Sequence, residues 1–280
     1  MAVGDLITTG WQWELNGLLM GANTVYEVHG FDMWAAPDIR SGETARAQQH
    51  GMYPGVDWLG GRLARMTVKI TPVSEDADLL ARQRLAAAWQ PPASGVSQLA
   101  WREGSTKYCL FGKGRLADTR GEFRLPTECR FIATDPRIYD NSLSTASTGL
   151  PTATGGLAFA AAAPFVFGTS GSGSTMSCTN NGTFNAPWVA TFTGPLVAPA
   201  LTHVSSGKVL NLSGANLVVG NTLTVDSAAR TILLNGTASR YSWLSVASQW
   251  FDLSPGANSV NLTGASGAGS VQIAWRSAWV

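Results

Sequence analysis

The sequence predicts a mainly β protein built from two domains, with a single clear helix in the first. Apolar and polar residues alternate with a period of two in many short segments, as in strands that bury one face. Charge is uneven, because residues 1–140 hold 15 of the 19 Lys and Arg and 16 of the 18 Asp and Glu. A composition shift of this size marks a domain boundary. We therefore expect an N-terminal domain over 1–140, a Ser/Thr/Gly-rich linker over 141–155 and a C-terminal domain over 156–280.

The N-terminal domain is expected to combine strands with that helix. Residues 61–71 alternate as a strand does, and Pro72 ends the strand. Ser74 can then cap a helix whose first turn is acidic, and Pro91 stops it. Residues 36–57 are poor in apolar periodicity and rich in Gly and polar groups, which predicts a long loop or an extended arm.

The C-terminal domain is expected to be entirely β. Val271, Ile273 and Trp275 alternate with other residues, as on the two faces of a strand. Asn235-Gly236 follows a short apolar segment, and this dipeptide favours a tight hairpin because both turn positions need positive φ. Strands of this length at intervals of roughly 10 residues, between Gly- and Asn-rich turns, predict a sandwich or jelly roll.

No arrangement of residues in the chain is typical of an enzyme. None of the serines lies in a G-x-S-x-G motif, and the three histidines are best explained as surface or packed side chains. Glycoside hydrolysis needs two acids that flank a sugar bond, whereas the second half offers only Asp226 and Asp252. The Gly-rich stretch 168–173 lacks the Gly-Lys-Ser/Thr ending of a phosphate-binding loop. We therefore expect no enzymatic activity, no catalytic residue and no cofactor.

Metal, nucleic-acid and membrane binding are not predicted either. Cys109, Cys129 and Cys178 form no C-x-x-C pair and have no histidine at ligand spacing, so we expect reduced thiols and no metal site. The net charge of +1 and the lack of a basic patch argue against nucleic acid. No apolar run reaches the roughly 18 residues that span a bilayer. The N-terminus has no basic region followed by an apolar core, which predicts no secretory signal.

The eleven tryptophans are the one feature that could form a ligand site. Lectin-like jelly rolls bind sugars, and an exposed indole can stack on a sugar ring. Trp243, Trp250, Trp275 and Trp279 are candidates, and we retain Trp243 and Trp250 as ligand-stacking residues. The alternative is that these rings fill the sandwich core or a subunit interface, where tryptophan is also enriched.

The order of several motifs resembles the distal tail proteins of siphophages, which are long-tailed bacteriophages. Residues 129–139 contain the A-x-D-P-x-x-Y pattern that ends the first domain of that family. The C-terminal half is similar to the family's second domain in the order of its motifs, which are N-G-T-F-N-A-P at 181–187, L-T-V-D at 223–226, T-I-L-L-N-G at 231–236 and W-F-D-L-S-P-G-A-N at 250–258.

The resemblance implies a structural virion protein, a minor tail protein of the baseplate. In that family a β-sandwich or split-barrel-like N-terminal domain with one helix forms a homohexameric ring, and a galectin-like jelly-roll β-sandwich projects outward. The ring would join the tail tube protein to a tail-tip hub that carries a spike or a tail-associated lysin. The family has no known catalytic residues.

The chain would be made in the host cytoplasm and would reside at the tail tip of the virion. The function left as an alternative is a carbohydrate-binding module that aids host-cell adhesion through the C-terminal sandwich. The length of 280 residues leaves no room for a large inserted sugar-binding module, which argues against dedicated adhesion.

Overall fold

The computed structural model describes most of the chain, over residues 2–72, 74–116, 126–150 and 174–280. The chain divides into two compact units: unit 1 is Met1–Ser142 with Trp279–Val280, and unit 2 is Leu143–Ala278. Strands dominate both units, and the described residues contain one α-helix, so the mainly β fold class is confirmed. Residues 151–155 of the expected linker and the Gly-rich stretch 168–173 lie outside the described residues.

The first half of the chain is mostly strand. In chain order its elements are β1 (Gln12–Leu15), β2 (Leu18–Gly21), β3 (Tyr26–Asp32), β4 (Ile39–Arg40), β5 (Thr44–Ala45), β6 (Met52–Tyr53), β7 (Trp58–Leu59), β8 (Arg62–Ile70), α1 (Glu75–Ala88), β9 (Ser97–Glu103), β10 (Thr106–Leu116), β11 (Thr127–Ala133) and β12 (Ile138–Asp140).

The elements of the second half are strands with one short 3₁₀ turn at Tyr241–Trp243. They are β13 (Ser144–Gly149), β14 (Thr175–Asn180), β15 (Trp188–Thr193), β16 (Leu196–Val197), β17 (Ala200–His203), β18 (Lys208–Asn211), β19 (Asn216–Leu217), β20 (Thr222–Asp226), β21 (Thr231–Leu234), β22 (Ala238–Ser239), β23 (Gly256–Thr263), β24 (Ser266–Gly267), β25 (Ser270–Trp275) and β26 (Ala278–Trp279).

Unit 1 is built on one large sheet with the strand order β2-β1-β9-β10-β11-β8-β3, and β12 pairs with both β10 and β26. The strand predicted over 61–71 forms as β8, and Met66, Val68 and Ile70 are buried on one of its faces. Successive residues of a strand point to opposite faces, so this alternation places one face of β8 in the core. Trp13 and Phe131, from two other strands of the sheet, belong to the same apolar cluster.

The predicted helix is confirmed as α1, and its N-terminus is capped as the sequence indicates. The Ser74 hydroxyl accepts a hydrogen bond from the Ala77 N–H at 3.3 Å, which satisfies one of the free donors of the first turn. Acidic residues occupy that first turn, where the helix dipole is positive. Three residues at helical spacing bury the inner face against the core of unit 1: Ala81, Leu85 and Ala88.

Unit 2 contains two larger antiparallel sheets, each of which buries one face. Their strand orders are β13-β25-β15-β20-β21-β22 and β14-β23-β17-β18, with β19-β16-β24 as a smaller third sheet. Trp188, Ala190 and Phe192 are buried at alternate positions of β15 in the first of these sheets. The hairpin at Asn235-Gly236 is confirmed, since β21 and β22 flank it and both turn residues have positive φ.

Part of the stretch 141–155, expected as a linker, is a strand of unit 2. β13 pairs antiparallel with β25, from Ser144 opposite Trp275 to Gly149 opposite Ser270. Its sequence, Ser-Thr-Ala-Ser-Thr-Gly, has no large apolar residue, so its side chains resemble those of a linker while its backbone completes a sheet edge. Trp279–Val280 also departs from the expected boundaries, because these last residues belong to unit 1.

The N-G-T-F motif is explained by the buried side chain of Asn180, which precedes it. Its amide nitrogen donates to the carbonyl oxygens of Phe184 at 2.7 Å and Leu253 at 3.0 Å. Its amide oxygen accepts from the N–H groups of Gly182 at 3.0 Å and Ala278 at 3.2 Å. Gly182 is required here by close approach, because a Cβ would lie 1.8 Å from the Ala278 carbonyl oxygen. One side chain thus satisfies four backbone groups of unit 2.

Replacing Asn180 with Ala should therefore destabilise unit 2 strongly. Each buried backbone group that loses its partner costs about 1–3 kcal/mol, so we expect a loss of at least about 2 kcal/mol in the free energy of unfolding. Urea unfolding followed by tryptophan fluorescence would measure the loss. The matched control is Asn181→Ala, which removes an exposed amide from the next position and should change the stability by less than about 0.5 kcal/mol. Equal effects of the two variants would contradict this account.

Candidate functional site

The stretch 36–57 contributes most of a two-stranded ribbon in unit 1, which we call the arm (residues 39–59). β4 pairs with β7 at its base, and β5 pairs with β6 toward its tip, both antiparallel. Glycine is required where the two sides approach between these pairs, because a Cβ on Gly55 would lie 2.0 Å from the carbonyl oxygen of Gly42. Of the two forms that the sequence predicts for this stretch, the extended arm is confirmed.

The arm leaves most of its apolar side chains in solvent. Ile39 is 65% exposed and Trp58 is 64% exposed, and Met52, Tyr53 and Val56 are exposed as well. Both faces carry such residues, because neighbouring positions along a strand alternate between faces. An isolated two-stranded ribbon is marginally stable in water, and clustered exposed apolar residues mark interaction sites. The arm is therefore a surface of unit 1 whose composition favours contact with another protein chain.

A buried guanidinium fixes the base of the arm. Arg62, which begins β8 shortly after the arm ends, is 1% exposed. Its Nε–H donates to the Pro136 carbonyl oxygen at 2.8 Å, and its Nη1–H donates to the Ala35 carbonyl oxygen. Burial lowers the pKa of Arg62, and the nearby Asp32 carboxylate opposes that shift. The entry and the exit of the arm are thus tied to the corner that follows β11.

That corner is the A-x-D-P-x-x-Y motif, and its residues bond to one another. The Tyr139 hydroxyl donates to Asp135 Oδ2 at 2.5 Å, and Asp135 Oδ1 accepts from the Arg137 backbone N–H at 3.1 Å. Burial raises the pKa of Tyr139, and the Asp135 carboxylate raises it further, so the phenol keeps its proton and remains a donor. The motif therefore has a structural role at the end of β11.

An aromatic cluster in unit 1 contains Trp279, one of the tryptophans that the sequence offers for sugar stacking. Glu103 Oε1 accepts the indole N–H of Trp34 at 3.0 Å and that of Trp101 at 3.1 Å. The Tyr108 ring packs edge-on against Trp34 and against Trp279, each at a centroid distance of 5.2 Å. Trp279, although it lies at the end of the chain, thus packs inside unit 1 and not on a sugar-binding face of unit 2.

Trp243 and Trp250, the predicted ligand-stacking residues, are both partly buried in unit 2. The Arg240 guanidinium lies over the Trp243 ring, 5.4 Å from its centroid, so one face of this indole is already covered. Trp275 is a core residue, and its indole N–H donates to the Thr179 carbonyl oxygen at 2.9 Å. Sugar stacking at Trp243 and Trp250 stays a prediction.

His203 is buried within a hydrogen-bond network that accounts for both ring nitrogens. Nε2 lies 2.9 Å from Asn258 Oδ1, and Nδ1 lies 2.7 Å from the Ser206 hydroxyl. Asn258 Oδ1 also accepts from the Ser254 N–H, so it acts as an acceptor and Nε2 carries the proton. The ring stacks on Phe251 at 5.1 Å. This histidine is therefore a satisfied core residue that joins two parts of unit 2.

The three cysteines form no disulfide and are fully buried. Burial raises the pKa of Cys129 to about 12 and that of Cys178 to about 11. Within the described residues, no group of three or more His, Cys, Asp or Glu side chains could hold a metal ion. The same part of the chain contains no helix long and apolar enough to cross a membrane.

Residues 181–279 match the family model described as siphovirus-type tail component, C-terminal domain. This part of the chain is similar to that tail component domain. The match covers most of unit 2 and includes the motifs from N-G-T-F onward. The resemblance to distal tail proteins that the motif order predicts is thereby confirmed.

Solved structures extend the likeness to the fold of the whole chain. The Dit protein of phage SPP1, described as a paradigm of the hub adsorption apparatus in phages that infect Gram-positive bacteria, is 12% identical, with a TM-score of 0.62. That alignment covers 96% of this chain and 99% of the SPP1 protein. Among curated proteins, none matches the sequence.

Two structures of the phage P2 baseplate in its activated conformation also match, one with Ca and one with Sr. Their identities are 8% and 7% and their TM-scores are 0.51 and 0.52, and each alignment covers 94% of this chain and 97% of that chain. At such low identities these likenesses show the fold.

The exposed apolar surface of the arm is the feature that the sequence pattern does not reveal. Its large residues come in short groups, Met52-Tyr53 and Val56 to Leu59, between glycines and charged residues. These groups are too short to show a helical or a strand period, so the sequence does not indicate which face is buried. This exposed surface could have been predicted from the presence of several large apolar residues in a Gly-rich stretch that has no periodic pattern of buried residues.

The buried Cys178 thiol should make unit 2 less stable at alkaline pH. The pKa is about 11 in the folded chain, against about 8.5 for an exposed thiol, so the unfolded chain releases this proton first. The contribution of the buried Cys178 thiol to the free energy of unfolding is complete below about pH 8.5 and is lost as the pH rises toward 11. Cys178→Ala should flatten the decline by up to about 1.4 kcal/mol per pH unit. Urea unfolding midpoints at several pH values would show it, and identical slopes for both proteins would contradict it.

Proposed function

We propose that the chain forms a closed homohexameric ring at the distal end of a phage tail tube. The match of residues 181–279 to a siphovirus-type tail component carries this proposal. The fold shared with the SPP1 Dit hub protein over 96% of the chain supports it. In this role the protein is a scaffold with no catalytic step. It joins the tail tube protein on one face to a tail-tip hub that bears a spike or a tail-associated lysin on the other.

Unit 1 forms the ring in this proposal, and unit 2 decorates it. Rings of identical subunits use two different patches on each subunit, and unit 1 holds most of the charged residues. Its arm exposes apolar residues on both faces. The four ion pairs formed among the described residues each join side chains at most four positions apart, so charges elsewhere on unit 1 can set register between subunits. The chains are made in the host cytoplasm, and the assembled ring is located at the tail tip of the virion.

The ring can be tested on the purified full-length chain. Native mass spectrometry should show a species of six times the 29.5 kDa chain, and negative-stain electron microscopy should show annular particles. Replacing Ile39, Tyr53 and Trp58 together with Ser should abolish the hexamer, because the arm then loses most of the apolar surface that it could bury. The variant should keep its circular dichroism spectrum, since these side chains contribute little to the core of unit 1.

The matched control is Val246→Ser, which removes a fully exposed apolar side chain from unit 2 and should leave the hexamer intact. The proposal would be wrong if the wild-type chain stayed monomeric at high concentration and assembled tails showed no ring. A hexamer that survives the triple arm variant would show that other surfaces of unit 1 form the ring.

Sugar binding by unit 2 is the second candidate function, as an aid to host adhesion. It is favoured by two partly exposed indoles, Trp243 and Trp250, on a unit with few charged residues. Stacking on a sugar needs one open ring face, and Arg240 already covers one face of Trp243. Trp250 is therefore the better residue to test.

Trp250→Ala should weaken glycan binding by about 2 kcal/mol, roughly thirty-fold, if the indole is the stacking platform. Labelled full-length protein on a glycan array would measure this, with Tyr241→Ala as the control for loss of an exposed ring nearby in sequence. An array on which the wild-type protein binds nothing would remove this candidate and leave the tail scaffold unaffected.

A further inference from the structure

A preformed groove lies between the C-terminal half of α1 and the β1–β2 turn of unit 1. Its volume is about 420 Å³. The residues that line it are Asn16, Gly17, Leu18, Arg84, Ala87 and Ala88. The turn takes positive φ at Asn16 and Gly17, and the Asn16 amide donates to the Ala88 carbonyl oxygen at 2.7 Å. That bond ties the turn to the end of the helix, so the groove keeps its shape without an occupant.

The groove has an apolar floor, and the Arg84 guanidinium lies at its side. Leu18, Ala87 and Ala88 supply the apolar surface, and Leu80 lies one helical turn before Arg84 on the same side of the helix. Leu80 is 48% exposed, which is unusual for a leucine on a helix that buries its other face. Arg84 forms no ion pair or side-chain hydrogen bond within the part of the chain that the structure describes. The groove therefore fits an apolar segment that carries a carboxylate.

The arm has this chemistry on one of its faces. Ile39 stands opposite Leu59 in the β4–β7 pair, and paired residues share a face. Asp57 comes two positions before Leu59, so it lies on the same side of the ribbon. Asp57 is exposed and has no ion-pair partner among the described residues, so it is not paired with Arg84 of its own chain.

We propose that the arm of one copy lies in the α1 groove of the next copy, with Asp57 paired to Arg84 and Ile39 against the apolar floor. The proposal rests on the ring, because both patches occur on every chain. A head-to-tail contact between two different patches of identical subunits closes into a ring when its rotation allows. The complementary charges fix the register of the arm, and the apolar contact supplies the affinity.

Cysteine cross-linking tests the placement directly. Ile39→Cys combined with Ala87→Cys puts one thiol on the arm and one in the groove, and the native cysteines are buried and do not compete. Mild oxidation by copper phenanthroline removes two electrons and two protons from each thiol pair. It should give a ladder of covalent oligomers up to six chains on a non-reducing gel. Each single variant should remain a monomer there, and so should Val246→Cys combined with Ala87→Cys.

A charge-reversal pair tests the proposed ion pair independently. Arg84→Glu or Asp57→Arg alone should weaken association by about ten-fold, because each places like charges together. The double variant should return to within about three-fold of the wild type by sedimentation equilibrium. Lys208→Glu, a charge reversal in unit 2, is the control and should leave association unchanged.

The outcomes separate this inference from the ring itself. Hexamers that form no arm-to-groove disulfide, or charge reversals that do not compensate, overturn the groove as the receiving surface and leave the proposed function in place. A chain that is monomeric under all conditions overturns both. A ladder restricted to the double cysteine variant, together with compensation by the double charge reversal, supports the arm in the groove.

Discussion

The buried guanidinium of Arg62 is the interaction on which the organisation of unit 1 depends. It sits at the start of β8 and bonds to carbonyl oxygens of Ala35 and Pro136, which belong to segments distant in sequence. A buried cation is strongly destabilising without hydrogen-bond partners. These two carbonyl oxygens accept from Nε–H and Nη1–H, while Nη2 has no partner among the described residues, so both segments must stay in place for the charge to be tolerated. Both ends of the arm and the corner after β11 are therefore located by one side chain.

This arrangement explains how a ribbon with little core of its own can keep a defined direction. The arm departs from a rigid base, where the Gly60 N–H and the Asp38 carbonyl oxygen bond across the two strands. The Asp135–Tyr139 corner supports that base through Pro136. A surface element that is fixed at its root and carries exposed apolar side chains is suited to contact another protein chain, because little conformational entropy remains to be lost on binding.

The sequence predicts correctly those elements whose residues repeat with a clear period. The capped helix after Pro72, the strand ending at Ile70 and the hairpin at Asn235-Gly236 all form where periodicity and turn chemistry place them. β13 escapes such reasoning, because its small polar side chains carry no period and only its backbone bonds define it. The ligand-stacking residues are harder to predict than the strands, because composition gives the number of tryptophans but not which of them are buried in a core. The arm and the α1 groove depend on exposure, which is set by what the rest of the fold leaves uncovered.

The return of Trp279 to the aromatic cluster of unit 1 has a consequence for biosynthesis. A ribosome makes domains from the N-terminus, and an N-terminal domain usually folds while the rest of the chain is still being translated. Unit 1 cannot be completed in this way, because the Trp279 side chain is synthesised only after unit 2. Completion of unit 1 therefore follows synthesis of unit 2. A chain that stops before Trp279 leaves the Tyr108 ring with only one of its two edge-on partners.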